Sequence, residues 1–147
     1  ITEAVLAGGR IDDAQALLDV TKKCLYAAIE VIGPGRTLWE VSESVQVLAE
    51  KHGYGLVREY AGHGIGTRMH EDPQVPNYVD MSSRYAELTL RPGMVICVEP
   101  MLNLGTSEVE VLDDGWTVVT ADRKLSAHFE HTIAVTEDGA EILTIPE

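Results

Sequence analysis

The fold class is decided within residues 37–57, TLWEVSESVQVLAEKHGYGLV, where helical spacing of apolar residues gives way to strand-like runs. Thr37 and Glu40 have the spacing of a capping box, in which each side chain accepts a hydrogen bond from the other's backbone amide. The apolar face that follows has helical spacing and consists of Val41, Val45, Leu48 and Ala49. The pattern therefore predicts a helix that is capped by Thr37 and stops near His52-Gly53.

A first helix is predicted upstream, over residues 12–32. Its apolar residues recur at helical spacing: Ala16, Leu17, Val20, Cys24, Leu25, Ala28, Ile29 and Ile32. Asp12 or Asp13 has the chemistry of a cap, and Gly33-Pro34-Gly35 ends the helix. Residues 1–9 begin with an apolar stretch and end in two glycines, which is typical either of the tail of a strand or of a frayed terminus.

Downstream of Tyr54, short runs rich in β-branched residues predict strands. The runs are Leu56-Val57, Met94–Val98, Val109–Leu112, Trp116–Val119 and Thr132–Val135, with turn chemistry at residues 113–115 and 137–139. Two helices followed by a strand meander indicate an α+β fold, with the helices covering one face of an antiparallel sheet. Because no linker or repeat divides the sequence, we expect one domain over residues 1–147.

The composition excludes several classes of function. The 147 residues carry a formal net charge of −13, which argues against binding to nucleic acid or to an anionic membrane surface. No apolar run approaches the roughly 20 residues of a membrane helix, and no basic-then-apolar leader opens the sequence, so we expect a soluble, cytoplasmic protein. Cys24 and Cys97 lie far apart in apolar surroundings, which favours buried free thiols over a bridge. The chain begins with Ile1 rather than methionine, so we expect a processed, excised or engineered piece.

Two histidines mark the first candidate site. His63 lies in Gly62-His63-Gly64-Ile65-Gly66, where glycines allow a sharp turn and close approach to a ligand. His70 follows seven residues later. Such histidines have either a structural role in the turn or a role in a site, and the residues themselves leave both readings open.

Two carboxylates mark a second candidate site. Glu99 ends an apolar strand, and strand alternation places it on the same face as Val95 and Cys97. It is either a metal ligand or a strand-end carboxylate in water, because an unpaired carboxylate is costly to bury. In the strand predicted over residues 128–133, alternation places His128, Glu130 and Thr132 on one face. An acid flanked by two histidines, His128 and His131, resembles part of a metal site. The alternative is a surface strand edge, although residues 133–135 continue as a buried run.

One histidine and two strand-borne carboxylates make a ligand set of nitrogen and oxygen. Such a set suits Mn, Fe, Co or Zn rather than a thiolate site. A carboxylate shared by two metal ions about 3.5–4 Å apart is common in hydrolases. The residues therefore predict a metal-dependent hydrolase and do not identify its substrate.

Several motifs in order resemble the bacterial-type methionine aminopeptidases. They are residues 57–66 (VREYAGHGIG), 70–75 (HEDPQV), 90–94 (LRPGM), 99–101 (EPM), 114–117 (DGWT) and 125–132 (LSAHFEHT). The similarity covers nearly the whole chain and is weakest in residues 1–15 and 79–88. It implies half of the pita-bread (creatinase/aminopeptidase-like) fold, in which each of two pseudo-symmetric halves packs a helix pair on a curved antiparallel sheet. This chain resembles the carboxy-terminal half.

The resemblance also implies roles for single residues. His63 and Glu99 would bind one metal ion, and Glu130 would bridge two. Glu99 would also assist proton transfer. His70 would contact the scissile amide of the substrate and stabilise the tetrahedral intermediate. The residues expected to line the pocket for the substrate's methionine side chain are Tyr60, Met69 and Trp116. Met69 departs from the family, which usually has an aromatic residue at this position.

In the family, the preceding half supplies two aspartate ligands and a further histidine. Asp12 and Asp13 lack the strand context to replace those aspartates. The complete site of the family holds two divalent ions (Co, Mn, Fe or Zn), whereas this chain is expected to hold one or none.

Three hypotheses follow from this difference, and the first is that the chain removes methionine from peptides and nascent proteins only with a complementary amino-terminal half chain. The second is a homodimer of half-domains. The third is a non-catalytic peptide- or metal-binding module.

Overall fold

The computed structural model describes residues 11–145 as two helices and ten short strands. The helices are α1 (Ile11–Val31) and α2 (Leu38–Lys51). The strands are β1 (Gly55–Leu56), β2 (Gly62–Gly64), β3 (Glu71–Val75), β4 (Val95–Val98), β5 (Met101–Asn103), β6 (Val109–Val111), β7 (Val118–Thr120), β8 (Ser126–His128), β9 (His131–Thr136) and β10 (Gly139–Ile142). The two readings of residues 1–9 fall outside the described residues. Over residues 11–145, neither helix combines the length and the apolar character that crossing a membrane requires.

The predicted capping box is present at the start of α2. The Thr37 hydroxyl accepts a hydrogen bond from the Glu40 amide at 3.3 Å, and the Glu40 carboxylate accepts one from the Thr37 amide at 2.7 Å. The helix ends at its cap residue His52, and Gly53 follows with a left-handed φ of 71°. Both ends of α2 are therefore determined by local sequence.

Helix α1 begins and ends one residue earlier than predicted. Because it starts at Ile11, Asp12 and Asp13 lie in its first turn, and the prediction that one of them is the cap was wrong. Carboxylates in the first turn still interact favourably with the positive end of the helix dipole. After the helix, Gly35 has a φ of 83°, a conformation that favours glycine.

The core lies between the two helices and the strands beneath them. The Cys24 thiol of α1 approaches the Val45 carbonyl of α2 at 3.8 Å. Both Cys24 and Cys97 are buried free thiols, as predicted. The largest fully buried side chains come from both layers and include Leu17, Leu25, Leu38, Val45, Ile96, Leu102 and Ile133. The predicted α+β architecture is confirmed.

The described strands form three antiparallel sheets. The largest has the order β10-β9-β4-β2-β3, the second the order β1-β5-β8, and the third is the β6-β7 hairpin. A meander accounts for the β2-β3, β6-β7 and β9-β10 hairpins but not for β4, which lies between β2 and β9. Five strands were not predicted: β2, β3, β5, β8 and β10. Their short and partly polar or glycine-rich sequences carry little strand signal.

Two chain segments pair with each other first in the five-stranded sheet and then in the three-stranded sheet. β4 pairs with β9 in the five-stranded sheet, and their continuations β5 and β8 pair in the three-stranded sheet. Between them lie Glu99 and Pro100 on one chain segment and Phe129 and Glu130 on the other, which we call the strand junction. The Phe129 amide donates to the Pro100 carbonyl at 3.4 Å across it. The expectation of one continuous strand through residues 128–132 was therefore wrong, because the ladder is interrupted at Glu130.

Candidate metal centre

Three neighbouring strands place His63, Cys97 and Thr132 in one row. His63 of β2 is opposite Cys97 of β4, and Cys97 is opposite Thr132 of β9. Side chains directly opposite each other in an antiparallel ladder share a face. The Cys97 sulfur accordingly lies 3.5 Å from the Thr132 hydroxyl oxygen. Glu99 and Glu130 come two residues beyond this row on their own segments, at the strand junction.

The glycines beside His63 allow its strand to lie close to both neighbours. A Cβ atom added to Gly62 would collide with the Cys97 carbonyl oxygen of β4, and one added to Gly64 would collide with the Asp72 carbonyl oxygen of β3. Both obstacles are backbone atoms, which cannot turn aside as a side chain can. Glycine at these two positions thus allows His63 to lie in a tightly packed central strand.

The ring of His63 is oriented by its own backbone. Its Nδ1 atom lies 2.9 Å from the Gly64 carbonyl oxygen, which only accepts hydrogen bonds. Nδ1 is therefore the protonated nitrogen, and Nε2 keeps its lone pair for a ligand. Nε2 lies 3.6 Å from Oε1 of Glu99. A histidine held in this way has the tautomer that a metal ligand needs.

Glu99 lies between two histidines. Its Oε2 atom is 3.4 Å from Nε2 of His128, and its side chain is only 14% exposed. The Glu99 carbonyl accepts a 3.0 Å hydrogen bond from the side chain of Asn77. The reading of Glu99 as a strand-end carboxylate in water does not agree with this low exposure.

Glu130 belongs to two groups of potential metal ligands. One group combines it with His63 and Cys97, and the other with Glu99 and His128; within each group the ligand atoms lie within 4.8 Å of one another. The three residues expected to hold metal are thus distributed over two groups with Glu130 in common. This arrangement agrees with a carboxylate placed between two ion positions.

The sulfur of Cys97 is one of the three potential ligand atoms of the group that contains His63. Burial is the main cause that raises its pKa to about 11, and the charge of Glu130 acts in the same direction. The sequence around Cys97 predicted only a buried free thiol, with no role in the site. The signal for its position is the alternation that places it on the same strand face as Glu99.

His128 was placed near the site by its sequence pattern but was not assigned as a site residue, and Asn77 was missed. Nε2 of His128 is buried without a hydrogen-bond partner among the described residues, since its 3.4 Å approach to Glu99 meets the distance for an ion pair but not the geometry of a hydrogen bond. The alternation of residues 128, 130 and 132 indicated that His128 faces the site. No sequence pattern indicated Asn77, which reaches the strand junction from the loop after β3.

An apolar cavity of about 610 Å³ opens beside the ligands. Glu99, His63 and His128 line it, together with Tyr60, His70, Trp116 and apolar side chains that include Val57, Met101, Val109 and Val118. The rings of His63 and His70 have their centroids 4.2 Å apart. The cavity therefore joins potential metal ligands to an apolar surface.

The predicted pocket residues differ in their placement. Trp116 lines the cavity from an 87% exposed position, and Tyr60 lines it from a 38% exposed one. Met69 is 71% exposed and is not among the lining residues. Contact of Met69 with a substrate stays a prediction that requires its side chain to move.

Residues 1–137 match the sequence profile described as Metallopeptidase family M24. The chain belongs to metallopeptidase family M24. Among relatives of this M24 chain, methionine aminopeptidase A of Synechocystis sp. is 49% identical over 134 residues, covering 91% of this chain and 52% of the relative. Methionine aminopeptidase 1 of Bacillus subtilis is 47% identical, covering 93% of this chain and 54% of the relative.

Comparison of structures gives the same relationship. The crystal structure of methionine aminopeptidase from Thermotoga maritima superimposes with a TM-score of 0.87 and 44% identity, covering 95% of this M24 chain and 55% of that one. The chain therefore spans about half the length of the relatives it matches. Resemblance to the carboxy-terminal half of methionine aminopeptidases, and the pita-bread architecture of the M24 fold, are confirmed. The roles of individual site residues stay predictions.

Proposed function

We propose that this chain contributes one side of a divalent-metal site that removes the amino-terminal methionine from peptides and nascent proteins. The observation that carries the proposal is the position of Glu130, common to two ligand groups beside an apolar cavity. A carboxylate shared in this way suits a pair of metal ions, and the apolar lining of the cavity suits an apolar side chain such as that of methionine.

The residues fit a divalent metal by their chemistry. His63 presents Nε2 because Nδ1 is committed to a backbone carbonyl. Glu99 and Glu130 are partly buried carboxylates that would repel each other unless a cation lies among them. We assign His63, Glu99 and Glu130 to holding metal. Bound divalent ions would supply Lewis-acid polarisation of the scissile carbonyl and would lower the pKa of water.

The other residues would act on the substrate itself. His70 lies beside His63 at the cavity and would donate a hydrogen bond to the scissile amide group as charge develops on it. Glu99 would hold and transfer a proton at its carboxylate. Tyr60 and Trp116 would contact the methionine side chain, and Met69 would join them after a side-chain movement.

The remaining ligands would come from outside this chain. The relatives are about twice as long, so we propose a complementary amino-terminal half as the partner, with a second copy of this chain as the alternative. Activity of the chain alone is expected to be weak or absent, because the two additional carboxylates that the resemblance implies are not supplied.

Complementation tests this proposal. The chain would be mixed with the separately expressed amino-terminal half of the Thermotoga maritima methionine aminopeptidase, and release of methionine from a Met-Ala peptide would be followed with added Co(II) or Mn(II). We expect release only from the mixture, and none when Glu130→Gln replaces the wild type. Glu141→Gln, which removes an exposed carboxylate of β10, is the matched control.

The outcomes separate the alternatives. Absence of methionine release at every ratio of a complex that forms and holds metal would reject the aminopeptidase proposal. Peptide binding without stoichiometric metal would favour the non-catalytic module. Native mass spectrometry of the chain by itself would distinguish a homodimer from a monomer that awaits its partner.

A further inference from the structure

His128 is the one histidine of the cavity wall to which the M24 resemblance assigns no role. Its ring is positioned by the β5-β8 ladder, where it lies opposite Met101. Its side chain is 27% exposed, yet the Nε2 atom itself is buried without a hydrogen-bond partner among the described residues. A buried, unpartnered nitrogen beside two carboxylates needs a proton, a water molecule or a cation to satisfy it.

We propose that His128 binds a divalent transition-metal ion through Nε2, together with Glu99 and Glu130, at a position distinct from that beside His63. This inference rests on the proposed function in one respect only, which is that a metal ion binds among these carboxylates.

The distances agree with a shared ion. Ligand atoms about 2.0–2.2 Å from a tetrahedral zinc ion lie about 3.3–3.6 Å from one another. The 3.4 Å between Nε2 of His128 and Oε2 of Glu99 falls in this range. Glu99 turns its other oxygen, Oε1, toward His63, so each oxygen faces a different histidine. The two histidines therefore belong to two ion positions rather than to one.

The set of ligands indicates the class of metal. One imidazole and two carboxylates favour first-row divalent ions such as Zn, Mn or Co over Ca or Mg, because imidazole is a poor ligand for the harder ions. Three protein ligands leave a coordination position open. Since His128 and Glu99 both line the apolar cavity, that position would face it. This chain would then bind one ion without ligands from another half.

Metal titration of the chain tests the assignment. Protein stripped with a chelator would be titrated with Zn(II) by calorimetry and with Co(II) by visible absorption, for wild type, His128→Gln and His52→Gln. His52 is an exposed histidine at the end of α2 and serves as the matched control. Because loss of a mere supporting residue costs about 10- to 100-fold in metal affinity, loss of a ligand should weaken Zn(II) binding at least about tenfold. His128→Gln should also change the Co(II) absorption band, whereas His52→Gln should change neither.

A second measurement requires no substitution. In protein labelled with nitrogen-15, Zn(II) should shift the Nε2 resonance of His128 at one equivalent or less. The assignment of His128 is overturned if His128→Gln binds Zn(II) like the wild type and the Nε2 resonance of His128 does not move. If Glu130→Gln at the same time binds no Zn(II), the proposed function is unaffected. Normal Zn(II) binding without methionine release on complementation would reject the proposed function and leave His128 a ligand. A wild type that binds no divalent metal by itself would overturn the assignment of His128, whereas the proposed function would fail only if the complemented complex also held no metal.

Discussion

The side-chain amide of Asn77 donates a 3.0 Å hydrogen bond to the backbone carbonyl of Glu99, and Asn77 is only 1% exposed. Asn77 follows β3, whereas Glu99 follows β4, so the bond ties the loop after β3 to the strand junction. It acts on the backbone and leaves the Glu99 carboxylate free for other partners. Asn77 is therefore a positioning residue for a proposed metal ligand.

Removing this bond should reduce both stability and metal affinity. Asn77→Ala leaves the Glu99 carbonyl without its side-chain partner, which typically costs about 1–3 kcal/mol of the free energy of unfolding. Urea denaturation would measure this loss. In protein that remains folded, Zn(II) affinity measured by calorimetry should also fall, because the Glu99 backbone is no longer held.

The exposed Gln74 of β3 provides the control for this variant. Gln74→Ala should change the free energy of unfolding by no more than about 0.5 kcal/mol. Unchanged stability and unchanged Zn(II) affinity in Asn77→Ala would contradict the positioning role.

Gly62 should tolerate no side chain. In Gly62→Ala the new Cβ meets the Cys97 carbonyl oxygen, so β2 and β4 have to separate or the ladder has to shift. We expect a loss of about 1–3 kcal/mol, the usual cost of overpacking, together with weaker Zn(II) binding because His63 moves with its strand. Thermal unfolding and calorimetry are the measurements.

Gly33→Ala is the comparison for Gly62→Ala. The Cβ at position 33 has only one near neighbour, the Gly139 Cα at 3.6 Å, which is an ordinary contact. This change should be neutral or should stabilise by up to about 1 kcal/mol, because it restricts the unfolded chain. Equal effects of the two substitutions would contradict the steric argument.

Glu130→Gln should make stability insensitive to chelators. Ligand that binds only the folded state stabilises it, by about 2.7 kcal/mol at a concentration 100 times the Kd. We therefore expect EDTA to lower the Tm of Zn(II)-loaded wild type but not that of Glu130→Gln, since Glu130 belongs to both ligand groups. Differential scanning calorimetry would measure the Tm.

The apo form of this variant gives an independent readout. Removing one of two close carboxylates relieves their repulsion, so apo Glu130→Gln should be at least as stable as apo wild type. A large EDTA effect that persists in Glu130→Gln would mean that the stabilising ion binds elsewhere.

Cys24 should make the protein less stable at high pH. Burial raises the pKa of its thiol from 9.0 to about 12, so the folded state retains a proton that the unfolded state releases. The stabilisation is complete below about pH 9 and is lost as the pH rises from there toward 12. At pH 11 the loss attributable to Cys24 is about 2–3 kcal/mol.

Cys24→Ala isolates this contribution from other groups that titrate in the same range. The variant is less stable at pH 8 because it leaves a cavity, but its free energy of unfolding should fall less between pH 8 and pH 11 than that of the wild type. Urea denaturation at the two pH values measures the difference. Parallel pH dependence in both proteins would contradict the burial argument.

Local sequence was sufficient to predict those features of the fold that depend on interactions between residues close together in the chain. The capping box of Thr37 and Glu40 and the helical spacing of apolar residues predicted both helices to within a residue or two, because these interactions span at most one or two turns. Alternation also placed Glu99 on one strand face with Val95 and Cys97, and the histidines flanking Glu130 made it a second candidate ligand. By contrast, three-residue strands such as β2, β5 and β8 are stabilised by pairing with other segments, and their own residues carry too little pattern to reveal them.

What the sequence by itself determined is the two helices, five of the ten described strands, the family resemblance and the candidate ligands His63, Glu99 and Glu130. Only the tertiary structure decided how these ligands are grouped. Pairing of β4 with both β2 and β9 brings His63 and Cys97 to Glu130, and pairing of β5 with β8 brings His128 to Glu99. The physical reason is that strand register is set by hydrogen bonds between segments far apart in sequence, as in the β4–β9 ladder, where Val95 lies opposite Ala134, 39 residues later. No local pattern encodes which segments meet, and so Asn77, and the approach of His128 to Glu99, were recognised only in the folded chain.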